Sequence, residues 1–300
     1  MTVSRVVRGD RAVAPGTARR VQQAIEQTGY RSDPVLSALA AYRSQVRKKV
    51  DAGLVYLDCE PDAFSLDLFN AACLEAGRLG YAVERHLLPP GAARRAQLCR
   101  QLVHRGVRGL LVGPSRQPPE FSRWDWSSFA AVSLSALLQK PILHSVTTDY
   151  FSGATIAMEH LHCQGARRIG FCIDAGLEGR TAHRWLGGYL AALNGEQARI
   201  YCGDFSSPLA MKRWMKRERL EGLLTIHRGA WEARPSDHLK AVFLSPFGSP
   251  SGVPRLVYDV VRIAVEGVRV IHHLYLNHEF GLPAEGKSVN LQPIFQISPD

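Results

Sequence analysis

The chain has 300 residues, of which 46% are hydrophobic, and its formal net charge at pH 7 is +10. The length exceeds that of one ordinary domain, and the absence of an uncharged apolar run of about 18 residues excludes a membrane-spanning helix. No apolar segment follows Met1 and the six cysteines include no Cys-x-x-Cys pair, so we expect a cytoplasmic protein with reduced, mostly buried thiols.

Positive charge is concentrated at the start of the chain. Residues 1–50 contain ten Lys and Arg but three Asp and Glu. Lys and Arg that neutralise phosphates provide sequence-independent affinity for nucleic acid, so a polyanionic partner is one interpretation. A solvated basic tail is the other, and charge alone does not separate the two.

From residue 51 onward, apolar runs of strand length alternate with amphipathic helical patterns. The predicted strands cover residues 53–58, 81–88, 109–114, 130–135, 168–173, 198–202, 222–227 and 241–245. The predicted helices cover residues 65–79, 92–104, 151–164, 181–193, 208–216 and 255–277. This alternation is typical of an α/β fold in which parallel sheets are covered by helices.

The pattern is interrupted near the middle of the chain. Residues 114–126 are rich in Pro, Ser and Trp, short extended pieces surround Lys140-Pro141, and a new helix-and-strand series begins at Asp149. We therefore predict two lobes, one of residues 51–145 with 246–277 and the other of residues 146–245 with 278–300. A cleft between two such lobes is the expected binding site for a small molecule.

Motifs of catalysis are missing from the sequence. There is no G-x-S-x-G, G-x-x-x-x-G-K-[ST], G-x-G-x-x-G after the first strand, or H-E-x-x-H motif, so we do not predict an enzyme or a cofactor. Glu159, His160, His162 and Cys163 are close in sequence, but on a helix they would point in different directions, so we predict no metal site.

The first thirty residues resemble a known family. Thr2-Val-Ser-Arg-Val-Val and the segment Val-Ala-Pro-Gly-Thr-Ala-Arg-Arg-Val-Gln-Gln-Ala-Ile-Glu-Gln-Thr-Gly-Tyr at residues 13–30 are similar to a signature of the LacI/GalR family of bacterial transcriptional repressors. Weaker matches follow in the family's order at residues 75–81, 105–112, 160–170 and 277–283, so the resemblance covers nearly the whole chain. It implies a partial helix-turn-helix headpiece and hinge helix at residues 1–45, followed by a two-lobed, periplasmic-binding-protein-like core at residues 51–300.

The resemblance also implies which residues contact DNA. Thr2, Ser4, Arg5 and Arg8 fall on or beside the family's recognition helix, where an Arg can bond a guanine edge, and Leu39 falls on the hinge leucine that wedges between base pairs. Without the resemblance, Arg5 and Arg8 would be interpreted as surface charge and Leu39 as a core contact.

Met1 lies inside the recognition helix of the pattern. A start assigned too far downstream is the explanation we favour, and a truncated regulator that binds DNA poorly is the alternative.

Effector contacts are implied less specifically. Phe64 matches an aromatic residue that stacks on effectors in the family. Arg184, with Arg180 as the second candidate, matches an arginine that binds the effector, and Asp149 matches an acidic residue where the chain crosses between the lobes. Each has a structural alternative: Phe64 could pack a lobe, Arg184 could pair with Glu178, and Asp149 could cap a helix.

The expected acidic ligand after the penultimate strand is replaced by Ser245, so the identity of the effector does not transfer from the family. Trp185, Trp231 and Phe247 could supply stacking faces for a sugar, although such aromatics often belong to a core.

Together these observations predict a cytoplasmic, homodimeric regulator that binds a double-stranded DNA operator and a small-molecule effector, most simply a carbohydrate. A truncated sugar-binding sensor without DNA binding, or an enzyme on an α/β scaffold, are the alternatives.

Overall fold

The computed structural model describes residue 6, residues 14–28 and residues 53–297 except 116–118, 136, 137 and 139. The chain forms two compact units, Met1–Val50 and Asp51–Asp300. In the first unit, helix α1 (Pro15–Thr28) begins where the Ala14 carbonyl accepts a hydrogen bond from the Ala18 amide at 3.0 Å. Pro15 is favourable at this first helical position because its missing amide would have no partner there.

The second unit contains all the strands of the described residues. In chain order these are β1 (Leu54–Asp58), β2 (Val83–Leu87), β3 (Gly109–Val112), β4 (Ala130–Leu134), β5 (His144–Thr148), β6 (Ile169–Cys172), β7 (Gly222–Thr225), β8 (Lys240–Phe243), β9 (Arg255–Val257), β10 (Ser288–Leu291) and β11 (Ile294–Gln296). The helices are α2 (Ala63–Arg78), α3 (Ala92–His104), α4 (Tyr150–Cys163), α5 (Ala175–Arg180), α6 (Arg184–Ala191), α7 (Pro208–Arg217), α8 (Arg228–Glu232) and α9 (Val260–Leu276).

The strands form two separate sheets, which define two lobes. The first sheet is parallel throughout, in the order β10-β5-β4-β3-β1-β2. The second sheet has the order β11-β9-β8-β7-β6 and is parallel except for β11, which runs antiparallel to β9. Strands β1, β3, β4, β6 and β7 are buried along their whole length, because helices cover both faces of a parallel sheet.

Helix caps at the ends of strands fix where the helices begin. Asp62, Asp149, Asp174, Ser207 and Asp259 each accept a hydrogen bond from the backbone amide three residues further on. Such a cap satisfies an amide that has no partner within the helix and contributes about 1 kcal/mol. Three of these caps, Asp62, Asp149 and Asp259, start α2, α4 and α9 just beyond β1, β5 and β9.

A buried charge network holds the carboxyl end of β1. Asp58 is 1% exposed and accepts hydrogen bonds from Arg85 Nε at 2.8 Å and from Ser65 Oγ at 2.7 Å. Ser65 Oγ is also 2.8 Å from the Tyr56 hydroxyl. A carboxylate buried in this way is tolerated because it is paired and fully hydrogen-bonded, and the network joins α2 and β2 to the end of β1.

The predicted fold class is confirmed, but several predicted elements are wrong. Residues 198–202 form an isolated bridge between Ile200 and Phe171 instead of a strand. The helix predicted over residues 181–193 is shorter in the structure: it is α6, which begins at Arg184, because Ala182 and His183 have positive φ angles of 51° and 57° that a helix cannot contain. The sequence patterns also missed β5, β9, β10, β11 and the short helices α5 and α8.

Sheet membership corrects the predicted lobe bounds. Residues 255–257, predicted as the start of a helix in the first lobe, form β9 of the second sheet, and residues 288–291, predicted in the second lobe, form β10 of the first sheet. The chain therefore crosses between the lobes near residues 149, 258 and 292 instead of near residues 146, 246 and 278. The Trp-rich stretch after residue 114 is not a break: Phe121, Trp124 and Trp126 belong to the core of the first lobe.

The six cysteines are free thiols, but only Cys99 and Cys172 are buried, so the expectation of mostly buried thiols is wrong.

Among the helices of the described residues, none has both the length and the apolar composition needed to cross a lipid bilayer.

Candidate functional site

A cavity of about 310 Å³ lies between the two lobes of the second unit. Loops that follow the carboxyl ends of β1, β3, β4, β7, β8 and β9 contribute to it, as expected for a binding site in an open parallel α/β sheet. The lining residues are Glu60, Asp62, Phe64, Pro114, Ser115 and Ser135 from the first lobe and Tyr150, Leu177, Arg180, Thr181, Trp185, Ile226, Ser245, Phe247 and Tyr258 from the second.

Aromatic rings form two groups on the cavity wall. Phe64 and Phe247 meet edge to face across the cleft, with ring centroids 5.3 Å apart. Within the second lobe, the Tyr150 ring lies 5.0 Å from that of Trp185 and 5.9 Å from that of Tyr258. Edge-to-face pairs of this kind leave ring faces available for a flat ligand.

Most hydroxyl groups on the wall already have partners within the protein. The Tyr150 hydroxyl donates to the Ser135 carbonyl at 3.0 Å, which also joins the two lobes. The remaining bonds are Tyr258 Oη to the Leu244 carbonyl, Thr181 Oγ1 to the Glu178 carbonyl at 3.0 Å, and the Phe247 amide to Ser245 Oγ at 3.2 Å. The wall therefore offers a ligand few hydroxyl groups that are not already hydrogen-bonded.

Arg180 differs from these groups. It is the last residue of α5, it is half-buried, and its guanidinium makes no hydrogen bond or ion pair with any residue that the structure describes. Burial raises the pKa of Tyr258 well above its ordinary value, whereas the positive charge of Arg180 acts in the opposite direction, so the guanidinium is close enough to influence that side of the cavity. A cation in this environment is placed to bind an anionic or polar group of a ligand.

A buried carboxyl group lies on the same short helix. Glu178 is 3% exposed; its Oε2 accepts a hydrogen bond from the Leu186 amide at 3.4 Å, and its Oε1 has no partner among the described residues. Burial raises the pKa of Glu178 to about 7, with a further contribution from the negative charge of Asp174. Glu178 therefore changes protonation state near neutral pH, two residues from Arg180 on the same helix.

Four of the six predicted effector residues line the cavity: Phe64, Arg180, Trp185 and Ser245. Asp149 does not, because its carboxylate caps α4 through the amide and hydroxyl of Ser152. Arg184 also lies outside the lining and donates to Asn290 Oδ1 at 2.6 Å, so of the two arginines it is Arg180 that faces the cleft. The effector role of these residues stays a prediction.

Of the other aromatics that the sequence suggested for stacking, Phe247 lines the cavity and Trp231 does not. The Trp231 ring stacks with Arg234, whose guanidinium carbon is 4.0 Å from the ring centroid.

Sequence reasoning missed Tyr150 and Tyr258, two lining residues. Each directly follows a strand that was not predicted, β5 and β9 respectively, and each is adjacent to a helix-capping aspartate. The repeated pairing of Tyr with a capping Asp, at residues 149–150 and 258–259, was the signal that could have identified both.

The predicted DNA contacts Thr2, Ser4, Arg5, Arg8 and Leu39 lie outside the described residues. In the part of the chain that is described, no group of three His, Cys, Asp or Glu side chains is placed to hold a metal ion. His160 instead packs its ring against Phe295, and His162 Nδ1 is 3.1 Å from the Ala166 carbonyl.

Comparison with known proteins gives matches in structure alone. No family model matches the chain, and no curated protein matches it in sequence. Among solved structures, a LacI-family regulatory protein from Chloroflexus aggregans is 16% identical with a TM-score of 0.61, over 83% of this chain and 98% of that one. The Cra transcriptional dual regulator from Pseudomonas putida, in complex with fructose 1-phosphate, is 17% identical with a TM-score of 0.57, over 83% of this chain and 100% of that one.

A third structure matches over a longer part of the chain. The lac repressor dimer, bound to operator and the anti-inducer ONPF, is 18% identical with a TM-score of 0.58 and covers 98% of this chain and 92% of its own. The chain therefore has the two-lobed, periplasmic-binding-protein-like fold of the LacI-family transcriptional regulators.

Proposed function

We propose that this protein is an effector-responsive, sequence-specific DNA-binding transcriptional regulator, acting as a repressor, whose core binds a small molecule between its two lobes. The observation that carries the proposal is the cavity itself. Both lobes contribute to it, and five aromatic rings meet there with the guanidinium of Arg180, which has no partner among the described residues. Closure of two lobes on a ligand is a change that can alter affinity elsewhere in the protein, provided that the ligand prefers one state.

DNA binding is assigned to the first unit. Its 50 residues carry ten Lys and Arg but three Asp and Glu, which favours contact with phosphates. The fold supports this assignment, since the lac repressor was solved on its operator.

A homodimer is supported by exposed apolar side chains on the first lobe. Leu66 and Leu74 are eight residues apart on α2 and therefore lie on one helix face, and Leu74 is 72% exposed. Exposed leucines grouped in this way are typical of a surface that a partner covers. The dimeric lac repressor is consistent with such an assembly.

The sequence predicts a carbohydrate effector, and the Cra regulator was solved with fructose 1-phosphate, but the residues that line the cavity of this chain decide which class of ligand it suits. The alternative function, a ligand sensor without DNA binding, has in its favour that the cavity belongs entirely to the second unit and does not depend on a DNA contact.

DNA binding tests the proposal directly. We expect the full-length protein to bind DNA fragments from upstream of its own gene, with an affinity that falls about 10³-fold or more between 50 and 200 mM salt, because bound phosphates release counterions. Fluorescence anisotropy with labelled fragments measures this.

The matched variants are Arg5→Ala, in the predicted recognition helix, and Arg100→Ala, an exposed arginine on α3 of the core. Arg5→Ala should reduce the preference for the target fragment over random DNA, whereas Arg100→Ala should leave it unchanged. A protein that shows no DNA binding at 50 mM salt, but still binds a ligand in the cleft, would favour the sensor alternative.

A further inference from the structure

The polar groups of the cavity suit a particular class of ligand. We infer that the effector is a small, flat, ring-bearing monocarboxylate, an aryl carboxylate in chemical class, and not the hydroxyl-rich carbohydrate that the sequence alone predicts. This inference rests on the proposed function, because it names the ligand of the same cleft.

The hydroxyl groups on the second-lobe side of the cavity are already hydrogen-bonded within the protein, so few of them are free to bind a sugar hydroxyl. Tyr150, Tyr258 and Thr181 use their hydroxyl protons on backbone carbonyls, and Ser245 accepts from a backbone amide. A buried hydroxyl without a partner weakens binding, so the second-lobe wall suits a molecule with few hydroxyl groups better than one with four or five.

The apolar part of the cavity wall suits a flat ring. Phe64 and Phe247 approach from opposite lobes, while Tyr150 and Trp185 form part of the second-lobe wall. Pro114, Leu177 and Ile226 add further apolar surface. A flat ring can lie against such faces without needing hydrogen bonds, and burying it removes apolar area from water on both sides.

Among the residues that line the cavity, Arg180 carries a positive charge. The guanidinium of Arg180 has no partner among the described residues, and its planar donors match a carboxylate in a two-bond arrangement. On the first-lobe side, the carboxylate of Asp62 also lines the cavity, where it caps α2. A carboxylate there opposes a ligand with a second anionic charge, such as a phosphate dianion, so a single carboxylate directed at Arg180 is the combination that the charges favour.

Ligand binding by the full-length protein tests the inference. Isothermal titration with benzoate and phenylacetate is compared with benzamide, glucose, fructose 1-phosphate and benzyltrimethylammonium. We expect at least one aryl carboxylate to bind about tenfold or more tightly than benzamide, which has the same ring but no charge. Arg180→Met should weaken carboxylate binding about tenfold or more.

Arg228→Met is the matched control, because Arg228 is an exposed arginine of α8 in the second lobe, is paired with Glu232, and does not line the cavity. It should leave carboxylate binding unchanged. The thermal unfolding midpoint of both variants shows whether each one is folded, so that a loss of binding in Arg180→Met can be assigned to the missing charge.

Three results would overturn the inference. They are binding of glucose or fructose 1-phosphate in preference to the carboxylates, preference for the cationic probe, and absence of binding by either carboxylate. The first two leave the proposed function intact, since the cleft would still bind an effector. Failure of the proposed function is recognised separately, by the absence of DNA binding in the salt-dependence experiment.

Discussion

At the scale of single residues, the environment of a side chain decided its role more than its position in a motif did. Arg184 was the first candidate for the effector-binding arginine in the sequence and Arg180, four residues before it, was the second. The break at Ala182 and His183 places Arg184 at the start of α6, where it bonds Asn290, and leaves Arg180 at the cavity. Positive φ angles at two non-glycine residues therefore separate the two arginines.

Glu178 should make stability depend on pH. Its pKa is raised from 4.5 to about 7 by burial, so the folded state holds a proton that the unfolded state has lost between these two values. Stability should therefore fall as the pH rises from 4.5 to 7 and then level off. Glu178→Gln should flatten this dependence and stabilise the protein above pH 7 by up to about 3 kcal/mol, since one pKa unit corresponds to ~1.4 kcal/mol.

The measurement is the unfolding midpoint between pH 5 and pH 8. Glu159→Gln, at an exposed carboxylate of α4, is the control and should retain the wild-type dependence. A Glu178→Gln protein with an unchanged pH dependence would mean that Glu178 is already ionised in the folded state throughout this range.

At the scale of elements, the contact between helices α4 and α6 in the second lobe depends on one glycine. α4 and α6 pack against each other, and a Cβ atom added at Gly188 would lie 2.4 Å from the Phe151 carbonyl oxygen and 2.8 Å from Ala154 Cβ. The neighbouring Gly187 has room, because its nearest contact would be Phe151 Cδ2 at 3.6 Å. The spacing of α6 from α4 matters for the site, since α6 carries Trp185 and α4 begins with Tyr150.

The two glycines make a matched pair of variants. Gly188→Ala should destabilise the protein by about 1–3 kcal/mol, because the obstructing atom belongs to the backbone and the helices must separate. Gly187→Ala should be neutral or stabilising by about 0.5–1 kcal/mol, since alanine loses less conformational freedom in a helix. Thermal unfolding of both variants checks this, and equal midpoints would show that the helix contact adapts without cost.

At the scale of the whole molecule, the proposed regulator must couple its two units energetically. Coupling between two binding sites is reciprocal, so the factor by which a ligand changes DNA affinity equals the factor by which DNA changes ligand affinity. If a saturating aryl carboxylate weakens DNA binding about tenfold, saturating DNA should weaken carboxylate binding about tenfold as well.

Anisotropy titrations with and without ligand, and calorimetric titrations with and without DNA, measure the two factors. Ligand binding that leaves DNA affinity unchanged would show that the cleft does not control the first unit, and the protein would then be a sensor with a separate output.

Much of this molecule follows from the amino-acid sequence alone. The alternation of apolar runs and amphipathic helices predicted two α/β lobes with parallel sheets, because buried parallel strands and their covering helices have local periodicities that a sequence displays directly. Phe64 and Ser245 were predicted at the cleft because of the resemblance to the LacI/GalR family, and the structure places each after a strand whose end faces the cavity.

Other features were decided by tertiary structure. The short strands β5, β9, β10 and β11 contain polar residues or only three to five positions, and they become strands because a neighbouring strand supplies hydrogen bonds that no local pattern reveals. Because β5 and β9 were not predicted, Tyr150 and Tyr258 were not predicted to line the site, and the points where the chain crosses between the lobes differ from the predicted ones. The unpaired state of Arg180 and the burial of Glu178 are likewise properties of the folded chain, because both depend on which distant groups come within a few ångströms of a charge.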